Sequence, residues 1–173
     1  SCSGWHEKAL EYFEQALALH REIGDQSGEG KDLANLGVVH SDLGRYEKAL
    51  KHCEQALAIR RQIQERSGEE TDLCNMGVLY SKLGLYEKAL EVLEQALAIA
   101  REIGDRPGEG RILTNTGVVY GALDQNDKAL EYHGQALAIK REIGDRSGEE
   151  KDLANIGAVQ RDLGRYDKAL EYL

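Results

Sequence analysis

No stretch of this sequence approaches the ~18 consecutive apolar residues of a helix that spans a membrane, so a helical membrane protein is excluded. The opening Ser1-Cys2-Ser3-Gly4-Trp5 has no basic stretch followed by an apolar core, so these residues are not expected to act as a signal peptide. Positive charge is scarce: 22 Lys and Arg stand against 31 Asp and Glu, a net charge of −9. Nonspecific nucleic-acid binding needs a concentrated positive field, so neither nucleic acid nor membrane is an expected partner. Only three cysteines occur, Cys2, Cys53 and Cys74, with no Cys-x-x-Cys. An odd set without metal-type spacing is no disulfide framework, and a reducing compartment, the cytoplasm, is expected. Period-2 alternation is absent too, and with it any expected strand.

What the chain has is repetition. Lys-Ala-Leu occurs at 8, 48, 88, 128 and 168, always forty residues apart. Glu-Gln-Ala-Leu-Ala recurs at 14, 54 and 94, with Gly134 in place of the glutamate in the next copy. Asn-x-Gly recurs at 35, 75, 115 and 155. Self-similarity at such a period marks stacked supersecondary units. With 41% hydrophobic and 31% charged residues the chain is composed as a folded protein.

Each unit reads as two helices. In the copy that starts at 67, Ser67-Gly68-Glu69-Glu70 has the spacing of a capping box. Leu73, Met76, Gly77 and Tyr80 follow at helical spacing, and Gly84 suits the left-handed residue that ends a helix. A second helix from Tyr86 carries Ala89, Leu90, Leu93, Ala96, Leu97 and Ile103 on its buried stripe. Pro107 opens the next unit, where a missing amide costs least. The spacing predicts helices over 7–23, 28–43, 46–63, 68–83, 86–103, 108–123, 126–143, 148–163 and 166–173. Gly37 and Ala49 are small where helix backbones approach closely, and larger side chains there would overpack.

Leu73-x2-Met76-Gly77-x2-Tyr80 followed by Ala89-x3-Leu93, with Ala9-x3-Phe13 in the first copy, resembles the tetratricopeptide repeat. The unit is forty residues rather than the usual ~34, and is similar to the arrays of kinesin light chains and LGN-type adaptors. The resemblance implies an all-α fold, a right-handed superhelical solenoid of antiparallel helix pairs. One solenoid over 1–173 is expected: a half repeat 1–26, full repeats 27–66, 67–106 and 107–146, and a partial repeat 147–173. Both ends fall inside a repeat, so a fragment of a longer array is expected. Leu10, Phe13 and Leu17 would then face an absent neighbour, which favours end-to-end self-association.

No cluster breaks the symmetry as an active site would. His6, His20, His40, His52 and His133 occupy different points of the unit, with no pair at metal-ligand spacing. They read as solvent-facing or half-buried. Gly28-Glu29-Gly30 and Gly108-Glu109-Gly110 are helix entries rather than phosphate loops. Cys53 falls in the buried Phe13/Leu93 column, while Cys74 reads as accessible. No catalytic residue, cofactor or metal is expected.

A second stripe runs beside the core stripe on the first helix of each unit, and the resemblance places it on the concave side. Its columns are Lys31/Thr71/Arg111/Lys151, Ala34/Cys74/Thr114/Ala154, Asn35/Asn75/Asn115/Asn155 and Val38/Val78/Val118/Ala158. Small side chains leave a groove, and an amide both donates and accepts, so it can pair with the backbone of an extended peptide of any sequence. Lys31, Arg111 and Lys151 would bias the groove towards acidic groups, with Asp32, Asp72 and Asp152 offsetting part of that field. The expected function is an interaction scaffold that holds an extended segment of a partner protein. The alternatives are a structural spacer or self-association module of a larger protein, a peptide-sensing regulatory array, and, for the asparagines, a purely structural role. The third full repeat departs from its siblings. Asp124 replaces a turn glycine, Asn126 a tyrosine, and Thr116 the Leu36, Met76 and Ile156 of the core column, giving a weaker joint, or else a bend or partner-specific patch.

Overall fold

The computed structural model describes residues 2–165. The helix expected over 166–173 lies outside them. Eight α-helices account for nearly all of the described chain, in the order α1 Cys2–Ile23, α2 Gln26–Asp42, α3 Tyr46–Gln62, α4 Arg66–Lys82, α5 Tyr86–Ile103, α6 Arg106–Ala122, α7 Asn126–Ile143 and α8 Arg146–Asp162. Among the described residues there is no strand. The chain forms two compact units, Ser1–Leu85 with α1 to α4 and Tyr86–Leu173 with α5 to α8.

Connections of two or three residues turn each helix back against the one before it within a unit. Their geometry follows from the turn residues. Gly24, Gly104 and Gly144 take φ near +70°, and Asp25, Asp105 and Asp145 then cap the next helix by accepting from the amides of Gly28, Gly108 and Gly148 at 2.9–3.0 Å. The helices they cap start two residues upstream of the expected positions. The capping box at Ser67 is not formed: Glu65 holds the N-cap position of α4 without a side-chain bond. Asp124 does adopt the left-handed conformation (φ 57°), and Gln64 does so as well (φ 56°).

The core of the first unit is built from Leu10 and Leu17 of α1, Leu33, Leu36 and Val39 of α2, and Ala56 of α3, with Phe13 packed against them. The expectation that Leu10, Phe13 and Leu17 face outward is therefore corrected. Their i, i+3, i+7 spacing puts them on the face of α1 that α2 covers. The exposed apolar residues of α1 are instead Trp5, Tyr12, Leu19 and Ile23, at intervals of seven, seven and four. Close approach of α2 and α3 rests on Gly37, where an added Cβ would stand 2.9 Å from Cys53 Sγ and 3.3 Å from the Ala49 carbonyl oxygen. In the second unit Leu113, Ala136 and Ile139 form a cluster with Leu97 and Tyr132 against it. Burying a leucine of this kind stabilises by roughly 1.5–3 kcal/mol.

A ladder of ion pairs runs along the helix ends. Arg21, Arg61, Arg101 and Arg141 each direct Nε to the glutamate eight residues on, Glu29, Glu69, Glu109 and Glu149, at 2.8–2.9 Å. Each pair ties the end of one helix to the start of the next. Burial works against ionisation of Glu69 and Glu109, but their paired arginines prevail and hold both carboxyls below the usual range.

Candidate peptide-binding groove

The first helices of neighbouring repeats, α2 and α4, lie side by side in the first unit. Between them is a cavity of about 150 Å³ lined by Gly37, Val38, Ser41, Asp42, Cys53, Asn75, Val78 and Leu79. Three residues of the predicted stripe, Val38, Asn75 and Val78, thus meet at one hollow. Asn75 and Val78 are half-buried, and Val38 is exposed. Cys53 is fully buried, and burial pushes its thiol up to about 12, so it contributes bulk rather than a nucleophile. Asn35 and Lys31 are exposed on α2 one and two turns before Val38. The Thr71 hydroxyl donates to the Ser67 carbonyl at 3.1 Å and lies as near to Glu70 Oε2. Cys74, expected to be accessible, is buried.

In the second unit the stripe divides. Arg111, Val118 and Lys151 are exposed, and Asn115 and Asn155 are half-buried. Nδ2 of Asn155 is buried with no hydrogen-bond partner among the described residues. Thr114 lies inside the protein at 4% exposure, and its hydroxyl contacts the Gly110 carbonyl at 3.0 Å and Asp152 Oδ2 at 3.1 Å. Its side chain is committed to the α6–α8 contact and does not face solvent.

The aspartates that follow the basic column point inward. Asp32, Asp72 and Asp152 are all buried. Asp32 meets His20 at 2.6 Å, Asp72 lies 3.8 Å from Arg60, and Asp152 meets His133 at 3.3 Å. Arg60 also bonds Glu65, and Lys140 bonds Asp145 at 3.1 Å. They do not offset the field of Lys31 and Lys151 at the surface as expected. Burial pushes Asp72 up to about 7, with Arg60 pulling the other way. At the positions equivalent to His20/Asp32 and Arg60/Asp72 the next copy has Ala100 and Ile112, both buried. A base at 20, 60 or 140 thus accompanies an aspartate twelve residues on, and both vanish together. That co-occurrence was readable in the sequence and is the signal that marks these aspartates as internal.

Two histidines that sequence spacing kept apart are brought together. His40 and His52 stack with centroids 5.2 Å apart and planes 2° from parallel. Tyr120 and Tyr132 make the corresponding stack in the second unit. Burial holds both imidazoles below the usual range, helped by Arg45 and Lys48 at His40 and by His40 and Lys51 at His52. Both Nδ1 atoms are buried without a hydrogen-bond partner among the described residues. Among the described residues no group of three or more His, Cys, Asp or Glu side chains is placed to hold a metal ion.

The tetratricopeptide repeat family model matches residues 3–62 and 69–142. No curated protein matches in sequence. Among solved structures the chain is similar to BtubC (BKLC) from P. vanneervenii, at TM-score 0.89 and 23% identity, over 99% of this chain and 71% of that one. It is also similar to kinesin light chain TPR-like repeats from Podosopora anserina, at TM-score 0.79 and 20% identity, over 98% and 84%. A third is a Rap protein complexed with Competence and Sporulation Factor, at TM-score 0.86 and 19% identity, over 98% of this chain and 48% of that one. At these identities the likeness is one of fold.

Proposed function

Since the chain belongs to the tetratricopeptide repeat family, whose fold serves as an interaction scaffold rather than a catalyst, we propose that it binds an extended segment of a partner protein along the first helices of its repeats. The observation that carries this reading is the hollow between α2 and α4, which Asn75 lines together with Val38 and Val78. The amide takes the peptide backbone and the valines shelter an apolar side chain. A cavity near 150 Å³ is the size that holds a benzene-like group. Asn35 extends the amide row on α2. In the second unit Asn115 and Asn155, half-buried on α6 and α8, play the same part. Exposed Lys31, Arg111 and Lys151 favour acidic residues in the segment, and Thr71, Val78 and Val118 add contact area. The net charge of −9 supports a protein partner over nucleic acid. A neighbour in fold, the Rap protein, is complexed with Competence and Sporulation Factor, which lends support to a ligand-holding role for this architecture.

The test is selection from a displayed library of unstructured peptides, followed by titration of the selected sequences. Asn75→Ala with Asn115→Ala is expected to weaken binding at least tenfold, because each net hydrogen bond is worth about 1 kcal/mol, while the thermal melt stays within a degree or two. Loss of stability by several degrees with unchanged affinity would assign the asparagines to structure.

A second reading, self-association, rests on α1. Trp5, Tyr12, Leu19 and Ile23 form one exposed apolar row on that helix, with Trp5 at 77% exposure. Light scattering over a concentration series decides it: a mass that grows with concentration and is held at the monomer by Tyr12→Lys supports the row as a contact face.

A further inference from the structure

A cavity of about 390 Å³ lies in the second unit, over α6 and between α5 and α7. Leu90, Leu97, Thr116 and the stacked Tyr120 and Tyr132 line it, together with Glu94 and Arg101. The volume falls within the ~300–1,000 Å³ of ligand-holding pockets. It is separate from the asparagine stripe and is not used by the function proposed above.

The sequence explains why a hollow exists here. Thr116 occupies the column held by Leu36, Met76 and Ile156 in the other copies, and Leu93 replaces Phe13. In the first unit the counterparts Leu10, Leu17 and Leu36 are all buried in one cluster with Phe13 packed on it. Here Leu90 and Leu97 are only half-buried. The Thr116 hydroxyl donates to the Ile112 carbonyl at 2.9 Å, so it presents no spare donor. What is missing relative to the sibling repeat is bulk apolar volume.

The charges around the opening set the second requirement. Arg101 is held by Glu109 at 2.8 Å. Lys128 sits 4.9 Å above the Tyr120 ring. Glu94 and Glu131 are exposed, and both act on the Tyr132 hydroxyl, which burial, Tyr120 and these carboxylates together hold above its usual range. Of the charged residues that line the cavity, Glu94 is exposed and Arg101 is already held by Glu109.

We propose that this cavity is a second recognition site, which takes a bulky apolar side chain of a partner protein whose flanking residues are basic. The apolar side chain replaces the volume that leucine and phenylalanine fill in the first unit, and a neighbouring cation settles on Glu94. The tyrosine stack gives a flat, rigid lining suited to an aromatic ring.

The experiment is an amide-resolved NMR titration of the whole chain with acetyl-Lys-Phe-Lys-amide. Acetyl-Lys-Ala-Lys-amide and acetyl-Glu-Phe-Glu-amide serve as controls. The Lys-Phe-Lys probe is expected to give saturating shifts at Leu90, Glu94, Leu97, Thr116 and Tyr132, at least tenfold tighter than either control. Thr116→Leu restores the residue type of the sibling repeats, keeps or raises the melt, and abolishes these shifts. Glu94→Gln weakens the Lys-Phe-Lys probe several-fold and leaves the Glu-Phe-Glu probe no weaker. Equal shifts from Lys-Ala-Lys, unchanged binding by Thr116→Leu, or no saturating shifts at these amides would each overturn the proposal. Asn75→Ala with Asn115→Ala leaves the site intact, so its success or failure is separate from that of the groove.

Discussion

Two glycine-to-alanine changes should move stability in opposite directions. Alanine in a helix interior is favoured over glycine by about 1 kcal/mol. At Gly134, inside α7, no atom lies within 4 Å of the Cβ that alanine would add. Gly134→Ala should therefore deliver the whole backbone gain, about 1 kcal/mol. At Gly37 the same Cβ meets Cys53 Sγ at 2.9 Å and the Ala49 carbonyl oxygen at 3.3 Å. The sulfur belongs to a fully buried side chain and the oxygen to backbone, so neither yields cheaply. Overpacking of this kind costs about 1–3 kcal/mol, which cancels the backbone gain and leaves a net loss of up to about 2 kcal/mol. Cys53→Ala removes the nearer obstacle. The double mutant should then be more stable than the two single losses predict, with a coupling of about 1 kcal/mol. Urea denaturation followed by circular dichroism reads the wild type and all four variants, and amide exchange in α2 and α3 localises the effect. If Gly37→Ala stabilises as Gly134→Ala does, the close approach of α2 and α3 is not what glycine serves.

Three further outcomes follow from the buried polar groups and turns. His40 and His52 are held below the ordinary 6.5, so the unfolded chain takes up protons that the folded one refuses. Their contribution is intact above about 6.5 and is lost as pH falls from there. Asp72, raised from 3.8 to about 7, acts with the opposite sign, since its proton is held by the folded state and stability declines as pH rises through that interval. Comparing wild type with His40→Tyr/His52→Tyr cancels Asp72, and the variant should lose less stability in urea titrations between neutral pH and about pH 5.5. Ile112→Asp should destabilise by about 3 kcal/mol or more, because it buries an unpaired charge, and Ala100→Arg, at the position equivalent to the Arg60 that partners Asp72, should recover part of that loss. Gln64→Gly should raise the denaturation midpoint, relieving a left-handed residue at a cost of about 1 kcal/mol, and by more than Asp124→Gly, since aspartate tolerates that conformation better.

The helices were legible because their signals are local. Apolar spacing, the turn glycines and the forty-residue period place seven of eight helix centres with no tertiary information. Helix starts were misplaced by two residues because Asp25, Asp105 and Asp145 read equally well as the end of one helix or the cap of the next. Only the backbone conformation separates those roles. Of the stripe, the exposed members were found by phase on the helix. Thr114 and Cys74 share that phase but are buried, Thr114 against Asp152 of α8, a fact that depends on tertiary packing. The histidine stack was missed because residues 40 and 52 sit on different helices, and metal-type spacing within one helix was the pattern sought. His133 was expected near solvent. Its column, shared with Phe13, Cys53 and Leu93, already pointed inward. The hollow at Thr116 was foreshadowed by the broken column, but its size depends on side chains from three helices.

The central claim is that the asparagine row holds a partner by its backbone. The most direct measurement is calorimetric titration of a selected peptide against analogues in which single backbone amides are replaced by esters. Packed helices stand roughly 8–10 Å apart and an extended chain advances about 3.3 Å per residue. Sensitive positions should therefore recur about every third residue. Each ester there should cost about 1 kcal/mol, near fivefold in affinity, and the effect should disappear in Asn75→Ala for the amide that Asn75 holds. Esters that leave affinity unchanged throughout, with side-chain substitutions accounting for all of the binding, would contradict it.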